Sequence, residues 1–288
     1  MGLEGAAWSK NLSDAFVCIL IYIYCTKSKK IRETWIEWNS NAFNRLSSYI
    51  KFTTLFGLAG YIQEFSFYIL VIFATHFTTT YQTATQMALS NSQLWHYNFF
   101  LGFHVVMINY MATFLMAGKY NKTQKLFQQG LFITWALSMI IIILVWYNQA
   151  IWANLFTDIS EITEHLKDTI KIYLVVLFFD AIQLTLGGIL KGIDKQKITT
   201  IVYLIAYIFI ALPLSYYLAF NTDTPIKGLY IGWLVGAIIS TISFILIFWK
   251  TNWKIQYLQI QRRMLKENFG IIKEQELLNK QGDIYLQY

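Results

Sequence analysis

Seven stretches of mostly apolar residues are the feature of this chain that most limits its fold. Each is close to the roughly 20 residues that an α-helix needs to cross a lipid bilayer. Inside lipid, backbone amide and carbonyl groups must bond to one another, so a spanning segment is either a helix or a strand of a closed barrel. Barrel strands are about half this length and alternate in polarity. The sequence therefore predicts an all-α, polytopic transmembrane helical bundle, with spans near residues 5–25, 49–76, 94–117, 130–147, 170–190, 198–220 and 228–249.

Composition indicates lipid rather than water as the surroundings of most of the chain. The sequence is 56% hydrophobic and 14% charged, whereas ordinary soluble domains carry roughly 25% charged residues. We therefore assign residues 1–253 to a transmembrane region and residues 254–288 to a polar tail. The first span is the weakest, because its first half contains Ser9, Lys10 and Asp14.

The net charge of +7 is explained by membrane topology rather than by nucleic acid. If the chain crosses the membrane at every predicted span, 19 of its 23 lysines and arginines fall on one side. These residues accumulate on the cytoplasmic side of membrane proteins. We expect a multi-pass protein of the plasma or vacuolar membrane, with a cytoplasmic C-terminus and no nucleic acid partner.

Two residues and two loops predict local features of the bundle. Pro213 should bend the sixth run, because proline lacks an amide hydrogen and crowds the preceding turn. The third run is long enough to be tilted or broken at Gly102. Aromatic residues within 26–48 and 148–169 predict short helices lying at the membrane surface.

No motif indicates an enzyme, a cofactor or a metal site. The sequence contains no HExxH and no glycine-rich phosphate loop, and its four histidines are scattered. A lone histidine on an apolar face, such as His104, is more often a hydrogen-bonded packing residue than a proton relay. Cys18 and Cys25 lie in one predicted helix and cannot reach each other for a disulfide.

Several short motifs follow one another in a fixed order along the chain. They are GLEGAAWSKNLSD, AFNRLSSYIKF, LFTDISEI, DAIQLTLGGILKGIDKQK, GLYIGWLVG and TNW. In this order and spacing they resemble the eukaryotic branch of the multidrug and toxic compound extrusion family, the MATE transporters. The resemblance extends from Gly2 to about Trp253 and implies the last seven of twelve family helices, which are one complete six-helix lobe and one helix of the other. On this interpretation the chain is a fragment or a truncated form.

Asp180 is the most informative polar residue in an apolar span. A carboxylate there is costly and is tolerated chiefly where it faces an internal cavity and binds something. Away from water, a carboxyl group holds its proton more readily and can exchange it for an organic cation, and the resemblance implies this coupling role for Asp180. Gln183, Tyr203 and Tyr207 are spaced to line the same cavity. The alternative is that Asp180 is hydrated or capping near the outer end of its helix.

A second acid, Glu64, departs from the family pattern. The family has acids at the positions of Gln63 and Tyr68, whereas Glu64 is displaced by one residue, which turns a helical side chain by about 100°. Glu64 is a second candidate coupling residue if its helix rotates, with a structural role at a helix interface as the alternative. Gln63 and Tyr68 are candidates for lining the cavity. The third run also departs, because Tyr110 stands where the family has an arginine.

The leading hypothesis is a secondary transporter that exports small, often cationic organic solutes in exchange for protons, or for sodium ions, by alternating access. A lipid or oligosaccharide flippase of similar fold is one alternative, but it would need a wide basic or polar cavity. A degenerate half-protein that only binds other membrane proteins is the other, and the altered positions Gln63 and Tyr110 favour it.

Overall fold

The protein is mostly helical in the part of the chain that its computed structural model describes, which is residues 2–28, 31, 43, 46–77 and 79–262. The helices are α1 Gly2–Lys27, α2 Leu46–Ala74, α3 Thr80–Met116, α4 Tyr120–Tyr147, α5 Gln149–Asn154, α6 Ser160–Gly192, α7 Gln196–Tyr203, α8 Leu212–Asn221 and α9 Pro225–Trp249. A π-helical segment, Leu204–Ala211, joins α7 to α8, and residues 253–262 are also helical.

The predicted fold class is confirmed. Six of the seven apolar runs lie within single helices, apart from at most two residues at an end, and the run 198–220 lies on α7, the π-helical segment and α8. Five helical segments of the described chain are long and apolar enough to cross a membrane: Thr80–Met116, Tyr120–Tyr147, Ser160–Gly192, Gln196–Asn221 and Pro225–Trp249. The molecule is an integral, multi-pass membrane protein.

The chain divides into two compact units, Met1–Phe52 and Thr53–Tyr288. The first contains α1, whose apolar side chains, among them Phe16 and Leu20, are exposed. Lys10 and Asp14 form an ion pair of 2.6 Å one turn apart on the same helix. The second unit contains most of the buried side chains and is described in the paragraphs that follow.

Helix α6 forms the centre of the second unit and packs against α3, α4 and α9. Small residues on α6 allow the closest of these contacts, because lipid provides no hydrophobic drive between helices and association depends on close packing. A Cβ atom on Gly188 would lie 2.5 Å from the carbonyl oxygen of His104, and one on Gly192 would lie 2.7 Å from that of Ile108. The backbones of α3 and α6 are therefore in direct contact along the C-terminal half of α6.

The local irregularities differ from what the sequence predicts. Just before Pro213, the backbone widens into the π-helical segment, and Pro213 occupies the first turn of α8. A wider turn moves carbonyl groups away from a proline ring that has no amide hydrogen to offer them. At Gly102, α3 continues without a break, so the predicted break is not found.

The two predicted surface helices have different outcomes. Most of residues 26–48 lie outside the described residues. Between 148 and 169, the chain forms the six-residue α5 and then enters α6 at Ser160, so much of this loop belongs to a spanning helix.

Candidate functional site

Asp180 lies near the middle of the long α6 and is 7% exposed. Three side chains donate hydrogen bonds to its carboxylate. Gln93 of α3 donates through Nε2 to Oδ2 at 2.6 Å, and Gln183 donates through Nε2 to Oδ1 at 2.8 Å. Trp233 of α9 donates its indole N–H toward both oxygens at 3.3 Å. The carboxylate is thus held by three helices at once.

These donors solvate the charge of Asp180 without neutralising it. A carboxylate only accepts hydrogen bonds, and amide or indole N–H groups satisfy it while bringing no positive charge. Within the described chain, no basic side chain lies within ion-pair distance of Asp180. An ionised Asp180 therefore leaves an unbalanced negative charge inside the apolar part of the protein.

Gln183 connects Asp180 to two further polar side chains. Its Nε2 also donates to the hydroxyl of Tyr207, and its Oε1 accepts from the hydroxyl of Ser240. Tyr207 lies in the π-helical segment and Ser240 lies on α9. Both amide hydrogens and the amide oxygen of Gln183 are therefore in use, which fixes the orientation of its side chain.

Asp180 forms part of the wall of a cavity of about 300 Å³ between α2, α3, α6 and α9. Most of the wall is apolar or aromatic, which suits the body of an organic solute. Its polar and charged lining residues include Gln63, Glu64, Gln93, His96, Asp180 and Trp233. No lysine or arginine of the described chain lines this cavity.

Some of the residues predicted from the sequence line the cavity, and others lie behind its wall. Gln63, Glu64 and Tyr68 of α2 all line it, so the displacement by one residue leaves both Gln63 and Glu64 on the wall. Gln63 is 5% exposed, whereas Glu64 is exposed and Tyr68 is 59% exposed.

Three of the predicted lining residues do not line this cavity. Gln183, Tyr203 and Tyr207 are buried behind its wall. The spacing places these side chains on the same side of their helices, but this side packs against α9, since Gln183 contacts Ser240 and Tyr207 contacts Trp233. These residues support the wall rather than form it.

The sequence interpretation missed Gln93, Trp233 and Ser240. A signal for Gln93 is present, because Ser90, Gln93 and Tyr97 are spaced three and four residues apart and so share one face of α3. Trp233 stands inside the motif GLYIGWLVG, where it reads as an aromatic residue of an apolar span. Nothing in the local sequence distinguishes Ser240 from other small residues that allow helices to pack closely.

The packing interpretation of His104 is confirmed. Its Nδ1 donates to the carbonyl oxygen of Leu184 at 2.7 Å, and the residue lies at the close contact between α3 and α6. Tyr110, at the position of the family arginine, is 53% exposed on α3 and lies outside the cavity wall.

Comparison with known proteins places the chain beside membrane transporters. A sequence model of the MatE family matches residues 56–217. The chain is 22% identical over 280 residues to Protein DETOXIFICATION 9 of Arabidopsis thaliana, covering 96% of this chain and 58% of that protein. It is 24% identical over 284 residues to Multidrug and toxin extrusion protein 2 of Mus musculus, covering 99% of this chain and 48% of that protein.

The fold is also similar to that of solved transporters. The crystal structure of the eukaryotic MATE transporter AtDTX14 superposes with a TM-score of 0.82 at 22% identity, covering 90% of this chain and 58% of the other. A likeness at this identity concerns the fold. The chain spans about half the length of the curated relatives it matches.

Proposed function

The chain belongs to the MatE family, and from that premise we propose that it binds small organic cations and exchanges them for protons, with Asp180 as the coupling acid. The observation that carries this proposal is the position of Asp180 in a cavity wall, held only by N–H donors and without a basic partner among the described residues. Acidic residues inside membrane segments are retained chiefly where they bind something.

The exchange follows from competition for one negative charge. An ionised Asp180 attracts either a proton or the positive group of a solute, and binding of one removes the attraction for the other. Aromatic residues of the wall, such as Phe67, Tyr97 and Trp233, offer ring faces to a cation in the same cavity. Uptake of a proton would therefore release the solute, and loss of the proton would allow the next solute to bind.

The surroundings of Asp180 favour a proton over a sodium ion. Small metal cations prefer a shell of several oxygen ligands, whereas the side chains that contact this carboxylate present N–H groups. A sodium ion would have to displace those donors, but a proton needs only one carboxylate oxygen.

The other predicted residues have supporting roles in this proposal. Glu64 is a second acid of the cavity and attracts cations from its exposed position. Gln63 and Tyr68 contact the solute from α2, while Gln183, Tyr203 and Tyr207 hold the carboxylate and its wall in place. The positive-inside rule places the C-terminus on the cytoplasmic side of the membrane, which is a plasma or vacuolar membrane in this proposal.

Equilibrium binding in detergent tests the proposal directly. An aromatic organic cation is titrated into the purified chain in weakly buffered solution, and both heat and released protons are measured. We expect wild-type protein to release protons as the cation binds. Asp180→Asn should bind the cation about tenfold or more weakly, because it loses a charged hydrogen-bonding partner, and should release none.

A matched control uses an acid outside the cavity. Asp223 is exposed at the end of α8, and Asp223→Asn should bind the cation and release protons as the wild type does. If Asp180→Asn retains both cation affinity and proton release, the coupling role of Asp180 is wrong. If wild-type protein binds no cation, the half-protein alternative replaces the transporter.

A flippase receives less support from the cavity. Anionic lipid or oligosaccharide carriers require basic groups along their path, and the described wall contains two acids, with no lysine or arginine. Repeating the titration with an anionic solute distinguishes the two, because a flippase for anionic solutes should gain affinity for it when Asp180 is neutralised.

A further inference from the structure

The cavity is lined by two acids, and neither has a positive partner in the part of the chain that the structure describes. Three N–H groups donate to Asp180. Glu64 is exposed and lines the same cavity from α2, and no basic side chain of the described residues lies within ion-pair distance of it. Acids in apolar helices of membrane proteins are retained chiefly where they bind something. Glu64 therefore needs a positive ligand as much as Asp180 does.

The two acids face neighbouring turns of α3. Gln93 donates to Asp180 at 2.6 Å, and Tyr97, four residues further along α3, lies near Glu64. Side chains four residues apart on a helix start about 5–6 Å from each other. Tyr97 is also close enough to Asp180 to interact with it electrostatically. A single solute of moderate length can therefore reach both carboxylates.

The rest of the wall suits the body of such a solute. Apolar side chains, among them Phe67, Leu94 and Phe100, line the same cavity of about 300 Å³, and they favour an apolar spacer between two charged ends. No lysine or arginine of the described chain lines this cavity. His96 does line it, but it is buried and its Nε2 has no partner among the described residues. A second proton on that ring would be an uncompensated buried charge.

We propose that the cavity prefers organic solutes with two positive groups, one bound by Asp180 and the other by Glu64. A singly charged solute leaves one carboxylate without a counter-charge in apolar surroundings, whereas a dication balances both. The exposed Glu64 then determines which solutes are preferred, and Asp180 exchanges the proton. This inference rests on the proposed function, since it takes Asp180 as the coupling acid.

Two solutes of the same shape that differ by one charge test this proposal. The first is para-xylylene bis(trimethylammonium), in which one benzene ring separates two positive groups. In the second, a tert-butyl group replaces one trimethylammonium group. Their affinities for the full chain in detergent are measured by calorimetry. We expect the wild type to bind the dication at least about tenfold more tightly, or about 1.4 kcal/mol, which exceeds the factor of about two contributed by its two equivalent ends.

The charge of Glu64 should account for this preference. In Glu64→Gln, the two solutes should bind within about threefold of each other. Glu164 is an exposed glutamate of α6 that does not line the cavity, and Glu164→Gln should keep the wild-type preference. Equal affinities in the wild type, or a preference that Glu64→Gln leaves unchanged, would overturn this proposal while Asp180 keeps its coupling role. If Asp180→Asn binds the singly charged solute as tightly as the wild type does, the proposed function itself fails.

The number of bound dications tests the same proposal in unaltered protein. If both carboxylates hold one solute, calorimetric titration should end at one dication per chain. Two dications per chain would mean that Asp180 and Glu64 belong to separate sites, and would overturn the proposal. This result does not depend on whether Glu64→Gln folds.

Discussion

The cavity has two acidic walls, which differ in how firmly they are held. The wall on α6, which carries Asp180, is the firm wall, and the wall on α2, which carries Glu64, is the adjustable wall. On the α6 side, Asp180 is 7% exposed and receives hydrogen bonds from three helices. On the α2 side, Glu64 is exposed, and α2 meets its neighbours through ring contacts such as Phe67 with Trp233 at 5.5 Å and Phe73 with Tyr216 at 5.3 Å.

This difference separates two tasks that a binding cavity must perform. A buried, hydrogen-bonded acid keeps one geometry and responds mainly to what binds it, which suits an exchange site. An exposed acid on a helix that is held by aromatic contacts attracts cations at long range and adjusts to their shape. Aromatic contacts allow such adjustment because they are less directional than a network of hydrogen bonds.

The largest effect should come from disturbing the contact that supports the firm wall. In Gly188→Ala, the new Cβ would lie 2.5 Å from the backbone oxygen of His104, and backbone cannot move aside as a flexible side chain does. We expect the free energy of unfolding to fall by about 1–3 kcal/mol, measured by denaturation in detergent. Cation affinity should fall as well, because α3 carries Gln93 to Asp180.

Gly102 offers a matched control on the other helix of this contact. A Cβ there meets nothing within 4 Å, and alanine is a better helix former than glycine by about 1 kcal/mol. Gly102→Ala should therefore leave the protein as stable as the wild type or more stable. Equal destabilisation by both substitutions would mean that the close approach of α3 and α6 does not support the site.

The second largest effect should be the loss of cation affinity when either acid of the cavity is neutralised. Glu64→Gln should weaken binding of an organic cation by a few-fold, under about 1 kcal/mol, because one charge of the cavity wall is lost while that of Asp180 remains. Asp180→Asn should weaken it by more. Calorimetric titration of both variants with the same cation checks this. A larger loss in Glu64→Gln would reverse the roles of the two walls.

The sequence predicted the firm wall only in part. The all-helical class follows from the apolar runs, because a membrane span must bury its backbone groups in a helix. Asp180 stood out because an acid is conspicuous in such a run. Its partners Gln93 and Trp233 lie on other helices, 87 and 53 residues away from it along the chain. No local pattern records which faces of distant helices meet.

The α2 wall was harder to predict for a different reason. A turn of about 100° between neighbouring positions suggested that Gln63 and Glu64 face different surroundings. The cavity is wide enough that both side chains line it. The π-helical segment before Pro213 also escaped prediction, since a proline in a span indicates a disturbed helix but does not specify its form.

Gln63→Glu should give a gain of function on the α2 side of the cavity. Gln63 is 5% exposed and lines the cavity beside Glu64, and it stands where the family pattern has an acid. Gln63→Glu should raise affinity for an organic cation by a few-fold at high pH, because it adds a negative charge to the adjustable wall. The same change should lower thermal stability slightly, since two neighbouring carboxylates repel each other. Unchanged affinity at every pH would show that this position does not contact the solute.

The smallest effect should come from the weakest donor of the firm wall. Trp233 approaches both carboxylate oxygens at 3.3 Å, longer than the bonds from Gln93 and Gln183, and long hydrogen bonds contribute little. Trp233→Phe removes the indole N–H while keeping an aromatic ring against Phe67 and Tyr207. We expect cation affinity to change by less than about threefold, or 0.7 kcal/mol, in the titration used for Asp180→Asn. Because two amide donors remain, proton release should persist. Its loss would mean that the indole, rather than the two glutamines, holds Asp180 ready for exchange.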